Sequence, residues 1–298
     1  MAAALLFVVC GLVSAQETET PAPGSSSAGT VMLNSGYEMP VFGVSCAMLP
    51  AERAESLAYE AVRAGFRLIM AGGTAGNEEG TGKGIRKAID EKLVSREDLF
   101  LVLIYAEESE TVEPGEVIKA SLERMGLEYL DMMILRQNIF GRDVACWEAM
   151  EQAADDGMIR SLGLSGFSDM RNFDLFTDNA ASVTPAVLMT AMHPYARQTD
   201  VREHLDAAGT LLVSEAPLGE TGEEQVIFAD QAVSVPASRL EKTSSQVILR
   251  WHLQSGNIFL PAVSDAEQIE EYADILDFVL SDEEMDQINA LDRPARFN

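Results

Sequence analysis

Short, nearly unbroken apolar runs alternate along this chain with longer stretches in which apolar residues recur every three or four positions. The runs are VFGVS (41–45), FRLIM (66–70), LFLVLI (99–104), YLDMMIL (129–135), IRSLGLS (159–165), AVLMTAM (186–192), TLLVSE (210–215) and IFLPAV (258–263). Their length and continuity suit strands buried on both faces. Between them, Ala54, Leu57, Ala58 and Ala61 fall at i, i+3, i+4, i+7, and Ile118, Leu122 and Met125 at i, i+4, i+7, which is helical spacing. Strand–helix units repeating at roughly 25 to 35 residues predict a closed (β/α)8 TIM barrel in one domain, with an open doubly wound sheet as the alternative. Ahead of the first unit, TVMLNSGYEMP (30–40) sets two apolar runs around Asn34-Ser35-Gly36, a hairpin signal. Behind the last, SDEEMDQINALD (281–292) opens with Ser281 and Glu284, a capping box that predicts an extra terminal helix. In DQAVSVPASRLEKTSSQ (230–246), Pro236 removes a donor in mid-helix, so an irregular segment is expected there.

Composition adds a boundary and a sign. Of 298 residues 47% are hydrophobic and 7% aromatic, enough for a sizeable core. Ala2 to Val13 is apolar but too short to span a bilayer, and Val13-Ser14-Ala15 before Gln16 fits a small-residue cleavage site. The expectation is a signal peptide over 1–15, a flexible leader over 16–30 and the barrel over 31–298. That implies secretion or delivery to an endomembrane or organelle lumen, with no transmembrane segment in the mature chain. The formal charge of −27 argues against nucleic acid and anionic membranes as partners and favours solubility. A monomer with an unidentified small molecule or protein as its partner is expected. Cys46 and Cys146 each sit in an apolar stretch and read as core thiols, and no Cys/His spacing suggests a metal site. Of the histidines, His193 reads as part of a structural turn and His252 as packed or half-exposed.

The stretch RLIMAGGTAGNEEGTGKG (67–84) passes from buried strand through glycines into a helix. A phosphate loop would need Gly at position 77, which is Asn, and Ser or Thr at 84, which is Gly. The glycines therefore read as a tight strand-to-helix turn, and Asn77-Glu78-Glu79 as residues suited to the helix's positive end.

Several segments together resemble the aldo-keto reductase family: LNSGYEMPVFGVS, AGFRLI followed by GNEE, SREDLF, ASLERMGLEYLD, WEAMEQAADDGMIRSLGLSGFS, HPY, APLGE, QVILRWHLQSGN and IEEYADILDFVLSDEEMDQINALD. The likeness runs in order over residues 31 to 295. It implies a barrel with NADP(H) lying across its C-terminal face, and an Asp, Tyr, Lys and His that move the proton. At those four positions stand Met70, Ala75, Ile104 and Arg136. Met70, Ala75 and Ile104 have no proton to transfer.

The cofactor positions implied by the resemblance diverge as well. The Ser-Asn that grips the carboxamide is Ser165-Gly166, and the Gln of the next strand is Met189. The Tyr that stacks on the nicotinamide is Glu215, whose charge would favour a cationic ring. The Lys-Ser of the 2′-phosphate is Ala262-Val263, and the nearby Arg and Asn are Gln268 and Tyr272. Loss of both cations removes the bonds that select that phosphate. The expectation is a barrel that has lost reductase activity and acts as a non-catalytic binding or structural protein, with no cofactor unless the vestigial groove still holds NADP(H). Two alternatives stand beside it. One is a cofactor-independent enzyme with Arg136 as anion clamp and Glu215 as base; the other is a residual NADP-dependent carbonyl oxidoreductase. Arg136 and Glu215 are the polar newcomers, expected either to pair across the mouth or to turn separately to solvent.

Overall fold

The computed structural model describes residues 28–105, 112–137, 142–167, 169–220 and 222–293. The expected signal peptide and leader lie outside them up to residue 27. β1 (Thr30–Met32) and β2 (Glu38–Pro40) form an antiparallel hairpin around Asn34-Ser35-Gly36. Eight parallel strands follow: β3 (Val44–Ser45), β4 (Leu68–Gly72), β5 (Phe100–Ile104), β6 (Met132–Arg136), β7 (Leu162–Ser165), β8 (Val187–Thr190), β9 (Leu211–Ser214) and β10 (Ile258–Phe259). Each pairs with its neighbour in sequence order. Bridges from Phe42 to Phe259 and from Ser45 to Ala262 join first to last, so the sheet closes. Ser45 N–H donates to Pro261 at 2.9 Å and Val263 N–H to Ser45 at 3.1 Å across that seam.

The crossovers are α1 (Ala51–Arg63), α2 (Ala75–Asp90), α3 (Pro114–Met125), α4 (Asp143–Asp155), α5 (Met170–Ala180), α6 (Thr199–Ala208), and the run α7 (Glu224–Ala229), α8 (Gln231–Leu240) and α9 (Ser244–Gln254). After β10 come α10 (Ala266–Ala273) and the terminal α11 (Asp282–Asn289). Ser281 and Glu284 form the expected capping box on α11. Burial is continuous from the strands to the inner helix faces, and Cys46 and Cys146 are free thiols within it. No helix among the described residues is long and apolar enough to cross a membrane.

Three local expectations are corrected. The glycines of GTGKG lie inside α2, not on a turn. A Cβ on Gly80 or Gly84 would overlap the carbonyl oxygens of Ala51 and Glu55 in α1, and one on Gly82 would overlap Met125 of α3. Glycine at 80 and 84 thus lets α1 and α2 cross backbone to backbone. Asn77 and Glu78 are wholly buried, and Thr74 is the cap that accepts from Asn77 N–H. Pro236 does not make its segment irregular: α8 runs through it. The helix is short and capped by Asp230, so proline removes one bond to the preceding turn while burying its ring.

The candidate active site at the barrel mouth

Strand ends place the mouth residues. Met70 lies in β4, Ile104 ends β5, Arg136 ends β6, Ser165 ends β7, and Glu215 follows β9 directly. Ala75 opens α2. A cavity of about 610 Å³ is lined by Met70, Ile104, Arg136, Glu215, Ala262, Gln268 and Tyr272, among others. That volume lies within the range of small-molecule and cofactor sites. Val263 and Met189 are buried in the core.

Arg136 Nη2 reaches Glu215 Oε2 at 3.5 Å from across the mouth. The arginine side chain is 53% exposed and the glutamate 28%. Burial pushes the Glu215 carboxyl above the usual range; the Arg136 charge pulls it partly back, and Glu220 pushes it further up. Gly166 makes room for this arginine. Its φ is +78°, and a Cβ there would stand 3.2 Å from Arg136 Cγ. Arginine at 136 and glycine at 166 therefore belong together: a larger residue at 166 would crowd the arginine's stem.

Ser165 Oγ is buried and has no hydrogen-bond partner among the described residues. Gln268 turns inward on its own loop, accepting from Ser264 N–H at 2.7 Å. Sequence reading missed Ser45, Ser245, Glu220, Glu224 and Glu271, which also line the cavity. The acidic run GETGEE (219–224) was the available signal for two of them.

Below the mouth lies a rigid support. Asn77 accepts from Gly72 N–H at 2.8 Å and donates to the carbonyls of Cys46 at 2.7 Å and Leu49 at 3.0 Å. It ties the ends of β3 and β4 to the start of α2. His252 is fully buried, the packed arm of the expectation. Its Nε2 sits 3.0 Å from the Pro217 carbonyl, so that nitrogen carries the hydrogen, while Nδ1 accepts from Asn257 at 2.9 Å. Pro217 lines the cavity, so His252 anchors one mouth loop from beneath. Burial lowers its pKa to about 3. His193 closes a turn through its backbone to Ala196.

The aldo/keto reductase family model matches residues 28–293, nearly all of the described chain. The chain belongs to the aldo/keto reductase family. It is 33% identical to the glyoxal reductase of Bacillus subtilis, over 90% of this chain and 94% of that protein. It is 30% identical to a probable NAD(P)H-dependent D-xylose reductase of Aspergillus clavatus, over 91% and 93%. Among solved structures, the aldo/keto reductase of Brucella melitensis superposes with a TM-score of 0.78 at 28% identity, covering 88% of this chain and 99% of that one.

Membership in the aldo/keto reductase family corrects the expectation of a non-catalytic protein. The family is enzymatic, and relatives matching across nearly the whole chain are named as reductases. Met70, Ala75, Ile104 and Arg136 at the positions that the resemblance assigns to proton transfer do not show that activity is gone. The expectation of no cofactor is set aside with it, because a family relative is named for NAD(P)H.

Proposed function

We propose that the protein is a nicotinamide-dependent carbonyl oxidoreductase that handles its proton through Glu215 rather than through a tyrosine. The observation that carries this reading is the convergence of Glu215 and Arg136, 3.5 Å apart, in the one described cavity at the C-terminal mouth that holds both. Family membership supports the reaction class, and the C-terminal face is where barrels of this type place their chemistry.

The residues present fit a nicotinamide dinucleotide at its inner end. The Ser165 hydroxyl is buried without a partner beside Gly166 and Arg136. An orphaned polar atom of this kind suits an amide donor or acceptor. The dinucleotide would supply or receive the hydride. Glu215, its carboxyl pKa raised by burial, donates a proton to the carbonyl oxygen in reduction and takes it back in alcohol oxidation. Arg136, next to it, stabilises the negative charge that gathers on that oxygen. Met70, Ile104 and Met48 give the cavity an apolar wall for the rest of the substrate.

The test is turnover of a panel of aldehydes and 2-oxo carbonyls with reduced dinucleotide, read as loss of its absorbance. Turnover of any member above the buffer rate is expected. No turnover by folded protein that binds the dinucleotide would contradict the reading. Arg136→Met is expected to lower kcat/KM by about tenfold to a hundredfold, the loss of one charge-stabilising contact. Its effect on stability should stay within about 0.5 kcal/mol, because the pair is half-exposed.

A further inference from the structure

A second cavity, of about 110 Å³, lies between the start of α6 and the end of α9. It is lined by Arg197, Thr199, Arg202, Trp251, Ser255 and Asn257, none of which lines the mouth cavity. Two cations and no carboxylate thus face this space, in a chain whose formal charge is −27. Both arginines are half-buried. Arg202 Nη2 donates to Asn257 Oδ1 and to the Met192 sulfur at 3.5 Å. Arg197 gives its backbone N–H to Asp292 at 3.0 Å, but its guanidinium has no hydrogen-bond partner among the described residues. Burial holds the Arg202 guanidinium below its usual range; Asp206 draws it partly back, and the nearby Arg197 charge pushes it down again. Two like charges are thus held close together on the wall of one small cavity. They do not serve as a cap for α9, because the carbonyls of Trp251, His252 and Leu253 accept from Ser255, Asn257 and Gly256 N–H. No side chain caps α6, which begins at Thr199, so its positive end adds to the same field, with Asp200 offsetting part of it.

We infer that this cavity is a binding site for one small tetrahedral oxyanion, a phosphate group held by the Arg197 and Arg202 guanidiniums. The site is independent of the oxidoreductase reading. Each guanidinium presents a fork of donors that matches phosphate oxygens, and an anion shared by two such cations relieves their repulsion. The hydroxyls of Thr199 and Ser255 add donors of the same kind. The volume suits a single such group and falls well short of the roughly 300 Å³ at which pockets take larger ligands. Asn257, which holds Arg202, also donates to His252, and His252 holds the Pro217 carbonyl. The cavity therefore stands at the outer end of the buried chain that supports the mouth loop.

The experiment is calorimetric titration of the full chain with inorganic phosphate, against sodium chloride of matched ionic strength. Saturable one-site binding with a Kd of about 1 mM or tighter is expected. Arg197→Gln, which loses no protein partner, is expected to weaken it about tenfold while leaving the melting temperature in chloride unchanged. Arg136→Met removes the one cation of the mouth cavity and is expected to leave phosphate binding within about twofold. Methyl phosphate separates the two sources of such a group. Weaker binding than phosphate assigns the site to the free ion, and equal or tighter binding assigns it to the head of a phosphomonoester. No saturable phosphate binding by folded protein overturns the inference. Binding that Arg136→Met abolishes and Arg197→Gln leaves intact overturns it as well.

Discussion

Glu215 and Asn77 show how differently two polar residues near one cavity can act. Glu215 is partly open, faces one cation and has a pKa raised by burial, so it can exchange a proton. Asn77 is sealed, and its side-chain hydrogen bonds are spent on the backbone of β4 and of the loop after β3. Asn77→Ala leaves one buried N–H and two carbonyls without that partner. The expected loss is about 3 kcal/mol in urea denaturation. His252 gives a pH signature. Folded, it takes a proton only near about 3, against an ordinary 6.5, so the unfolded chain protonates first as the medium is acidified. Its contribution to stability is complete above pH 6.5 and declines as pH falls toward about 3. His252→Gln retains a donor for Pro217 and an acceptor for Asn257. Over that window the variant should lose less stability on acidification than the native chain, measured by denaturant melts at several pH values.

Among the elements, α2 carries the sharpest contrast. Gly80 lies against the α1 backbone, whereas a Cβ on Gly76 would meet only Ala51 Cβ at an ordinary 3.7 Å. Gly76→Ala is therefore expected to stabilise by about 0.5 to 1 kcal/mol through helix propensity. Gly80→Ala should instead cost about 2 kcal/mol or more by forcing α1 away. Thermal melts of the two variants moving in the same direction would contradict this packing. Helix α8 offers a second case. Pro236→Ala restores one N–H bond but removes a buried ring, for a net gain of about 1 kcal/mol. Both cases mark where sequence reading stopped. Apolar runs located every barrel strand, because burial on both faces leaves an unbroken signature. Whether a glycine serves a turn or a helix crossing depends on a neighbour outside its own segment, here Ala51. The same holds for Asn77, whose partners Cys46 and Leu49 lie about thirty residues upstream.

Across the whole molecule, the barrel was readable from periodicity, and its family from ordered segments that build the scaffold. The altered mouth positions were legible one by one. Their joint meaning was not, since Arg136 and Glu215 are 79 residues apart in sequence and meet only when the sheet closes. Gly166 likewise gains its sense from the arginine it admits. The positions expected to move the proton therefore read one at a time, without the Arg136–Glu215 contact that folding makes. The most direct measurement of that pair is the rate of carbonyl turnover by Glu215→Gln, a near-isosteric change that keeps the hydrogen-bonding shape and removes the exchangeable proton. Its kcat should fall by about a hundredfold to ten-thousandfold, with dinucleotide binding and melting temperature close to those of the native chain. An unchanged kcat would contradict Glu215 as the proton carrier.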